Sequence, residues 1–296
     1  MNVIEVSDLT KTYGDLTAVD HISFAVEKGT MLGFLGINGA GKSTAINMLS
    51  TLLRPDCGSA SICGYVLGRE DEQIRRKIGI VYQQNVLDDL LTVRENLLCR
   101  GILHGASAAE VRRTLERVSQ LLKLEDILKK RYKLLSGGQK RRCEIAAALM
   151  HTPEVLFLDE PTTGLDPATR KDVWQIIENL RKEENMTVFL TTHYMEEAAE
   201  ADQIIILDYG RIVASGTPFQ LKERYAKDKL RLFADSAVEL PGDVTPFGRE
   251  LALDSTMDAL PVLETVKGKI RGFEVIQGNM DDVFLNAVGY ALEDKQ

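Results

Sequence analysis

The sequence predicts an α/β protein with a mostly parallel sheet, followed by a small α+β domain. Three observations carry this. Apolar runs of strand length alternate with segments of helical period, the order that lays helices over the faces of a parallel sheet. The runs at 31–35 and 155–158 are apolar throughout, as strands covered on both faces are. Composition then shifts at Gly216-Thr217-Pro218, and the remainder reads as short strands and helices.

Each element follows from its own pattern. Residues 3–6 and 21–26 are short apolar segments bounded by turn residues, and they predict strands of an antiparallel N-terminal portion. The run 31–35 is a buried strand, and 44–53 a helix. Strands are expected at 59–65 and 78–82. From 90 to 150 the pattern is helical, clearest over 108–122. There Val111, Leu115, Val118 and Leu122 recur at helical spacing, with Arg112, Arg113 and Arg117 on other faces. A strand at 155–158, a helix at 167–185, a strand at 187–191, a helix at 196–201 and a strand at 203–208 complete the alternation. Beyond the composition shift, strands are expected at 229–233, 250–253 and 270–276. A helix over 255–266 is broken at Pro261. Asn279 is placed to cap a helix over 280–292, whose first turn carries Asp281 and Asp282.

The chain has 296 residues, 44% hydrophobic and 27% charged, enough for a large core. A formal net charge of −8 disfavours tight non-specific binding to nucleic acid or to anionic membrane, with Lys140-Arg141-Arg142 a local exception. No apolar run approaches the roughly 20 residues that span a bilayer. The first nine residues carry Glu5 and Asp8 and resemble a strand, not a signal peptide. Cys57, Cys63, Cys99 and Cys143 form no C-x-x-C pair, and the histidines are scattered. Reduced thiols in a cytosolic protein are expected, and no zinc site.

The segment Gly36-Ile37-Asn38-Gly39-Ala40-Gly41-Lys42-Ser43-Thr44 fits the phosphate-binding P-loop, between the strand and helix that the motif requires. Its glycines let backbone N–H groups curl around phosphate oxygens, and the helix start adds partial positive charge. Lys42 would reach the β- and γ-phosphates, and the Ser43 hydroxyl would ligate Mg²⁺. The chain therefore binds a nucleoside triphosphate. The apolar strand at 155–158 ends in Asp159-Glu160. Asp159 suits the metal, and Glu160 stands where a general base would polarise water. Leu135-Ser136-Gly137-Gly138-Gln139 precedes a helix. It reads either as a second anion-binding helix start or as a plain linker turn.

Taken together these motifs resemble the ABC-type ATPases. Their order is that family's: the P-loop, Gln83 after a strand, the signature Leu135–Gln139, Asp159-Glu160-Pro161-Thr162, Gly164-Leu165-Asp166, then Thr192-His193. The resemblance covers residues 1 to about 220. It implies a P-loop core of ABC type over 1–219, with a helical subdomain near 90–150 that docks on a membrane protein, and an accessory domain over 220–296. It implies that Tyr13 stacks on adenine and that Gln83 senses Mg²⁺ and the lytic water. It implies that Leu135, Ser136, Gly137, Gly138 and Gln139 face the ATP of a second subunit, that Asp166 couples the two sites, and that His193 bonds the γ-phosphate. Two ATPase subunits, ATP, Mg²⁺ and an integral membrane permease are thus expected, with the chain on the cytoplasmic face of the membrane. Asp281-Asp282-Val283-Phe284-Leu285 is similar to the ending of ATPases of the ABC-2 exporter group, including antibiotic-resistance pumps. Met280 stands where that group usually has leucine. An importer ATPase and a soluble mechanochemical ATPase are the alternatives. The second usually carries two nucleotide domains or a coiled-coil insertion, which this chain lacks.

Overall fold

A computed structural model describes residues 1–234, 240–245 and 248–293. The chain divides into two compact units between Ile212 and Val213, a few residues before the boundary expected at 219.

The first unit opens on a long hairpin of β1 (Asn2–Tyr13) and β2 (Leu16–Glu27). With β4 (Cys57–Ile62) and β5 (Tyr65–Val66) it forms an antiparallel sheet in the order β2-β1-β4-β5. The expected strands were a third and a half of the observed lengths. Polar residues such as Lys11, Thr12 and Thr17 continue the ladder outside the apolar core, and ladder hydrogen bonds do not depend on side-chain polarity. The strand expected at 59–65 stops at Ile62, because Cys63 and Gly64 turn through positive φ before β5.

The second sheet is built from β3 (Met31–Leu35), β6 (Ile78–Val81), β7 (Val155–Asp159), β8 (Thr187–Thr192), β9 (Gln203–Asp208) and β10 (Arg211–Gly216). Its order is β10-β9-β3-β8-β7-β6, with parallel pairing across β9, β3, β8, β7 and β6. Every residue of β3 is buried, as its unbroken apolar run requires. Phe24 of the first sheet meets Phe34 and Phe189 of the second with ring centroids 5.7 and 6.1 Å apart. Phe189 in turn meets Phe34 and Phe157 at 5.2 and 5.3 Å. Such tilted pairs add about 1 kcal/mol each to simple burial, and here they fasten one sheet to the other.

Helices α1 (Lys42–Leu49), α2 (Asp71–Lys77), α6 (Pro167–Glu184) and the short α7 (Met195–Ala198) connect the strands. The helical stretch resolves into α3 (Val93–Leu103), α4 (Ala108–Leu121) and α5 (Gly137–Leu149). Each begins with a reciprocal capping box: Thr92 with Glu95, Ser107 with Glu110, Ser136 with Gln139.

The second unit holds α8 (Pro218–Tyr225), β11 (Asp228–Phe233), β12 (Asp243–Thr245), β13 (Gly248–Leu253), α9 (Ala259–Val266), β14 (Gly272–Ile276) and α10 (Met280–Glu293). The strands form a sheet in the order β12-β13-β11-β14. Leu230, Leu232, Leu253, Ala259 and Val266 are its core. Pro261 does not break its helix. It occupies the first turn of α9, where its missing N–H would have had no partner within the helix. Asn279 caps α10 as expected, accepting from the Asp282 N–H at 2.9 Å. Val283 and Ala287 are buried while Leu285 stays exposed.

Candidate active site at the carboxyl edge of the parallel sheet

Four neighbouring strands end at one edge, and each delivers functional side chains there. β3 runs into the loop 36–44, β6 leads to Gln83, β7 ends in Asp159 and continues to Glu160, and β8 leads to His193. Ligands gather at this edge in open α/β sheets because loops converge there and helix starts point toward it.

The loop is shaped by close backbone approach. Gly41 caps α1 at φ +104°, and a Cβ on it would stand 2.2 Å from the Ala18 carbonyl oxygen of β2. Only glycine lets the hairpin close on the loop in this way. No side chain caps α1, so its first N–H groups remain available to phosphate oxygens. The Lys42 ammonium donates to the carbonyls of Gly36 at 2.8 Å and Ile37 at 3.1 Å, and lies 3.6 Å from Glu160 Oε1. Burial pushes Lys42 below its usual range, and the carboxylates of Glu160 and Asp159 oppose that shift.

Glu160 is the hub. Its backbone is left-handed at φ 45°, an uncommon state for a residue with a side chain. Its N–H donates to both the carbonyl and the hydroxyl oxygen of Thr191, each at 3.1 Å. Its Oε2 accepts from Gln83 Nε2 at 3.2 Å and from the Thr163 hydroxyl at 3.1 Å. His193 Nδ1 lies 3.2 Å from the same oxygen, off the hydrogen-bond line. The glutamate side chain is only 10% exposed. Beside it, Asp159 Oδ1 accepts from the Thr191 hydroxyl at 2.6 Å and from Ser43 Oγ at 3.4 Å. Lys42, Ser43, Gln83, Asp159, Glu160 and His193 thus form one connected cluster.

The other predicted residues lie elsewhere. Tyr13 ends β1, half exposed, with Lys11 Nζ 5.8 Å from its ring centre. Ser136 caps α5, accepting from the Gln139 N–H at 3.3 Å, while Gln139 Oε1 accepts from Ser136 N–H at 3.1 Å. Leu135 is buried, and Ser136 and Gly137 are exposed. None of the five signature residues bonds to the Glu160 cluster among the described residues. Asp166 caps α6, accepting from the N–H groups of Ala168 and Thr169 and from the Thr169 hydroxyl. The Thr169 hydroxyl holds the Asp166 carboxyl below its usual range.

Several participants escaped the sequence reading. Thr191 joins Asp159 to the Glu160 backbone, and its one legible sign was a hydroxyl at the end of an apolar strand. Arg141, two residues past the signature, donates to the carbonyls of Pro161, Tyr82 and Asp159. Burial pulls its guanidinium down to about 10, still charged at neutral pH. Glu144 accepts from the N–H groups of Val86 and Leu87 at 2.9 and 3.1 Å, fixing the chain just after Gln83.

A phosphate cradle, a paired serine and aspartate, and a glutamate ringed by glutamine, lysine and histidine define a nucleotide-hydrolysing P-loop protein. Residues 19–163 match the family described as ABC transporter. The chain belongs to that family: it is an ATP-binding subunit of an ABC transporter, and an ATPase. It is 39% identical to the daunorubicin/doxorubicin resistance ATP-binding protein DrrA of Streptomyces peucetius, over 99% of this chain and 94% of that one. It is 36% identical to the linearmycin resistance ATP-binding protein LnrL of Bacillus subtilis, over 99% of this chain and 100% of the other. Among solved structures, the ATP-binding cassette MJ0796, a dimer in a post-hydrolysis state bound to ADP and Pi, matches with a TM-score of 0.66. That match has 30% identity, covering 72% of this chain and 98% of MJ0796.

Proposed function

We propose that this chain powers an exporter. Two copies, or one copy and a second ATPase chain, close head to tail on two ATP molecules, and closure is passed to a separate integral membrane permease. The single observation behind the catalytic part is the Glu160 carboxylate, which lies within 3.6 Å of Lys42 Nζ, Gln83 Nε2 and His193 Nδ1 together. In this reading Glu160 takes the proton of the attacking water, which Gln83 orients. Lys42 and His193 stabilise charge on the γ-phosphoryl group. Tyr13 carries the adenine. Ser43, Asp159 and Gln83 would hold Mg²⁺, which would neutralise phosphate charge. Hard oxygen donors, few in number, suit an ion that keeps its waters and phosphate ligands.

The signature residues and Asp166 face the second subunit. The Ser136, Gln139 and Asp166 side chains are taken up in local helix caps, and none of these residues bonds to the Glu160 cluster among the described residues, which supports a second chain completing each site. Export is supported by the drug-resistance relatives, which match through the second unit as well as the first, whereas MJ0796 covers 72% of the chain. The second unit is an accessory domain. Among the described residues no helix is long and apolar enough to cross a membrane. In this reading the chain sits on the cytoplasmic face of the membrane, bound to its permease.

The test is to isolate tagged Glu160→Gln protein from solubilised native membranes with Mg-ATP. The variant should bind ATP, show no turnover and carry a multi-spanning protein with it. Normal hydrolysis by the variant would overturn the general-base assignment. Soluble partners alone would overturn the exporter.

A further inference from the structure

Glu197 lies on α7 and is 3% exposed. None of the steps above uses it. A buried carboxylate is costly unless it is hydrogen-bonded and charge-compensated, so its partners define its purpose. Oε1 accepts from the Thr162 hydroxyl, and Oε2 accepts from the Thr192 hydroxyl at 2.6 Å. Thr162 and Thr192 are themselves 0% and 1% exposed. Thr162 stands two residues after Glu160, in the turn that leads to Asp166. Thr192 immediately precedes His193, and its hydroxyl also accepts from the Tyr194 N–H at 3.0 Å. One carboxylate therefore ties together the two chain segments that flank the Glu160 side chain.

The compensating charge comes from the same neighbourhood. Arg170 Nε is 4.0 Å from Glu197 Oε1. Its guanidinium lies 4.3 Å from the centre of the Tyr194 ring, and that ring is 4.2 Å from His193's. Arg170 belongs to the first turn of α6, where its N–H donates to the Asp166 carbonyl at 2.9 Å. The path from Asp166 to His193 thus runs through Arg170 along two routes, one by Glu197 and Thr192, the other by Tyr194.

We propose that Glu197 is a positioning residue for ATP hydrolysis, holding the His193 loop and the 161–166 turn in one register through the Thr192 and Thr162 hydroxyls. The inference rests on the assignment of His193 to the γ-phosphate. His193 makes no aligned hydrogen bond of its own to Glu160. Its placement therefore depends on the loop that carries it, and a misplacement of about 1 Å is enough to slow turnover a hundredfold. Substrate binding by the P-loop does not pass through Glu197, so affinity for ATP is spared.

The test compares Glu197→Gln and Thr192→Val with the parent, each alone and combined with His193→Ala, in the full chain. Steady-state ATPase kinetics and thermal melting are recorded together. For each variant kcat should fall about tenfold or more while KM for ATP stays within about threefold. In the His193→Ala background either change should cost less than about twofold, because residues acting as a unit are not additive. Full kcat in both variants overturns the proposal. So does an equal loss in both backgrounds, which would make Glu197 a brace of the fold. Should Glu197→Gln fail to fold, Thr192→Val decides, since it keeps the buried shape and removes the hydroxyl that bonds Glu197 and the Tyr194 N–H beside His193. A His193→Ala protein with parental kcat would instead bring down the His193 assignment, and the proposal with it.

Discussion

At the scale of single residues, Glu160, the proposed general base, is aimed by its backbone as much as by its neighbours. A left-handed φ on a non-glycine residue costs on the order of 1 kcal/mol and persists only when the surroundings over-determine it. Here the Thr191 hydroxyl does so: it accepts from the Glu160 N–H and donates to Asp159 Oδ1. Thr191→Val should keep the shape of β8 and release both contacts. We expect kcat to fall about tenfold, with a higher Mg²⁺ requirement, measured as ATPase rate against free Mg²⁺. Another residue sets a pH dependence. His151 Nε2 donates to the Ile78 carbonyl at 2.8 Å, and its ring stacks on His104 at 3.8 Å. Burial first, and the neighbouring His104 second, pull His151 down to about 4 from an ordinary 6.5. Between those values the unfolded chain binds a proton that the folded chain refuses. His151's contribution is therefore intact above the unfolded value and lost as pH falls. Stability should drop on the order of 2 kcal/mol from pH 7 to pH 5 through this residue. Melting curves at both pH values should show a smaller drop for His151→Gln.

At the scale of elements, legibility followed the source of each element's stability. β3 and β7 are buried on both faces, so their positions were written in unbroken apolar runs, β8 in an apolar centre flanked by threonines, and β9 was placed to the residue. The ends of β1 and β2 are held by cross-strand backbone bonds among polar residues, which leave no apolar period to read. Pro261 misled because the rule against proline lapses in a helix's first turn. The phosphate loop and Asp159-Glu160 were legible because close backbone approach and charge restrict residue type at fixed spacing. Thr191, Arg141 and Glu197 were not, since each makes hydrogen bonds across 18 to 59 residues of chain that no spacing announces, alongside any local ones. One contact between elements yields a further prediction. A Cβ at Gly138 would stand 2.2 Å from Thr169 Cγ2, so the start of α5 touches the start of α6. Gly138→Ala should destabilise the protein by about 1–3 kcal/mol. Thr169→Ser removes that methyl while keeping the hydroxyl on Asp166, so the double variant should recover most of the loss in denaturant titrations. Additive losses would mean that the two helix starts are not in contact.

At the scale of the whole molecule, one chain holds a phosphate cradle and a signature that share no hydrogen bond among the described residues. In the proposed reading each site is completed by a two-fold partner, each chain giving its cradle to one site and its signature to the other. This geometry separates two kinds of defect. Glu160→Gln disables the site built on its own cradle. Gly137→Arg disables the site built on the partner's. Gly137 suits the purpose: it is exposed, and a Cβ there meets nothing closer than Leu165 Cδ2 at 3.6 Å, so the added side chain blocks the facing surface without straining α5. Each variant alone carries two broken sites and should be inactive. In an equal mixture half the dimers contain one chain of each kind. Such a dimer has one doubly broken site, and one whose cradle and glutamate come from the Gly137→Arg chain and whose signature comes from the Glu160→Gln chain. With independent sites the mixture should hydrolyse ATP at about a quarter of the parental rate. The recovered rate should vanish on dilution below the dimer's dissociation constant. A mixture as inactive as its components, with mixed dimers demonstrated by differential tagging, would refute a site shared between chains. Activity in Gly137→Arg alone would show that the signature is not needed for turnover.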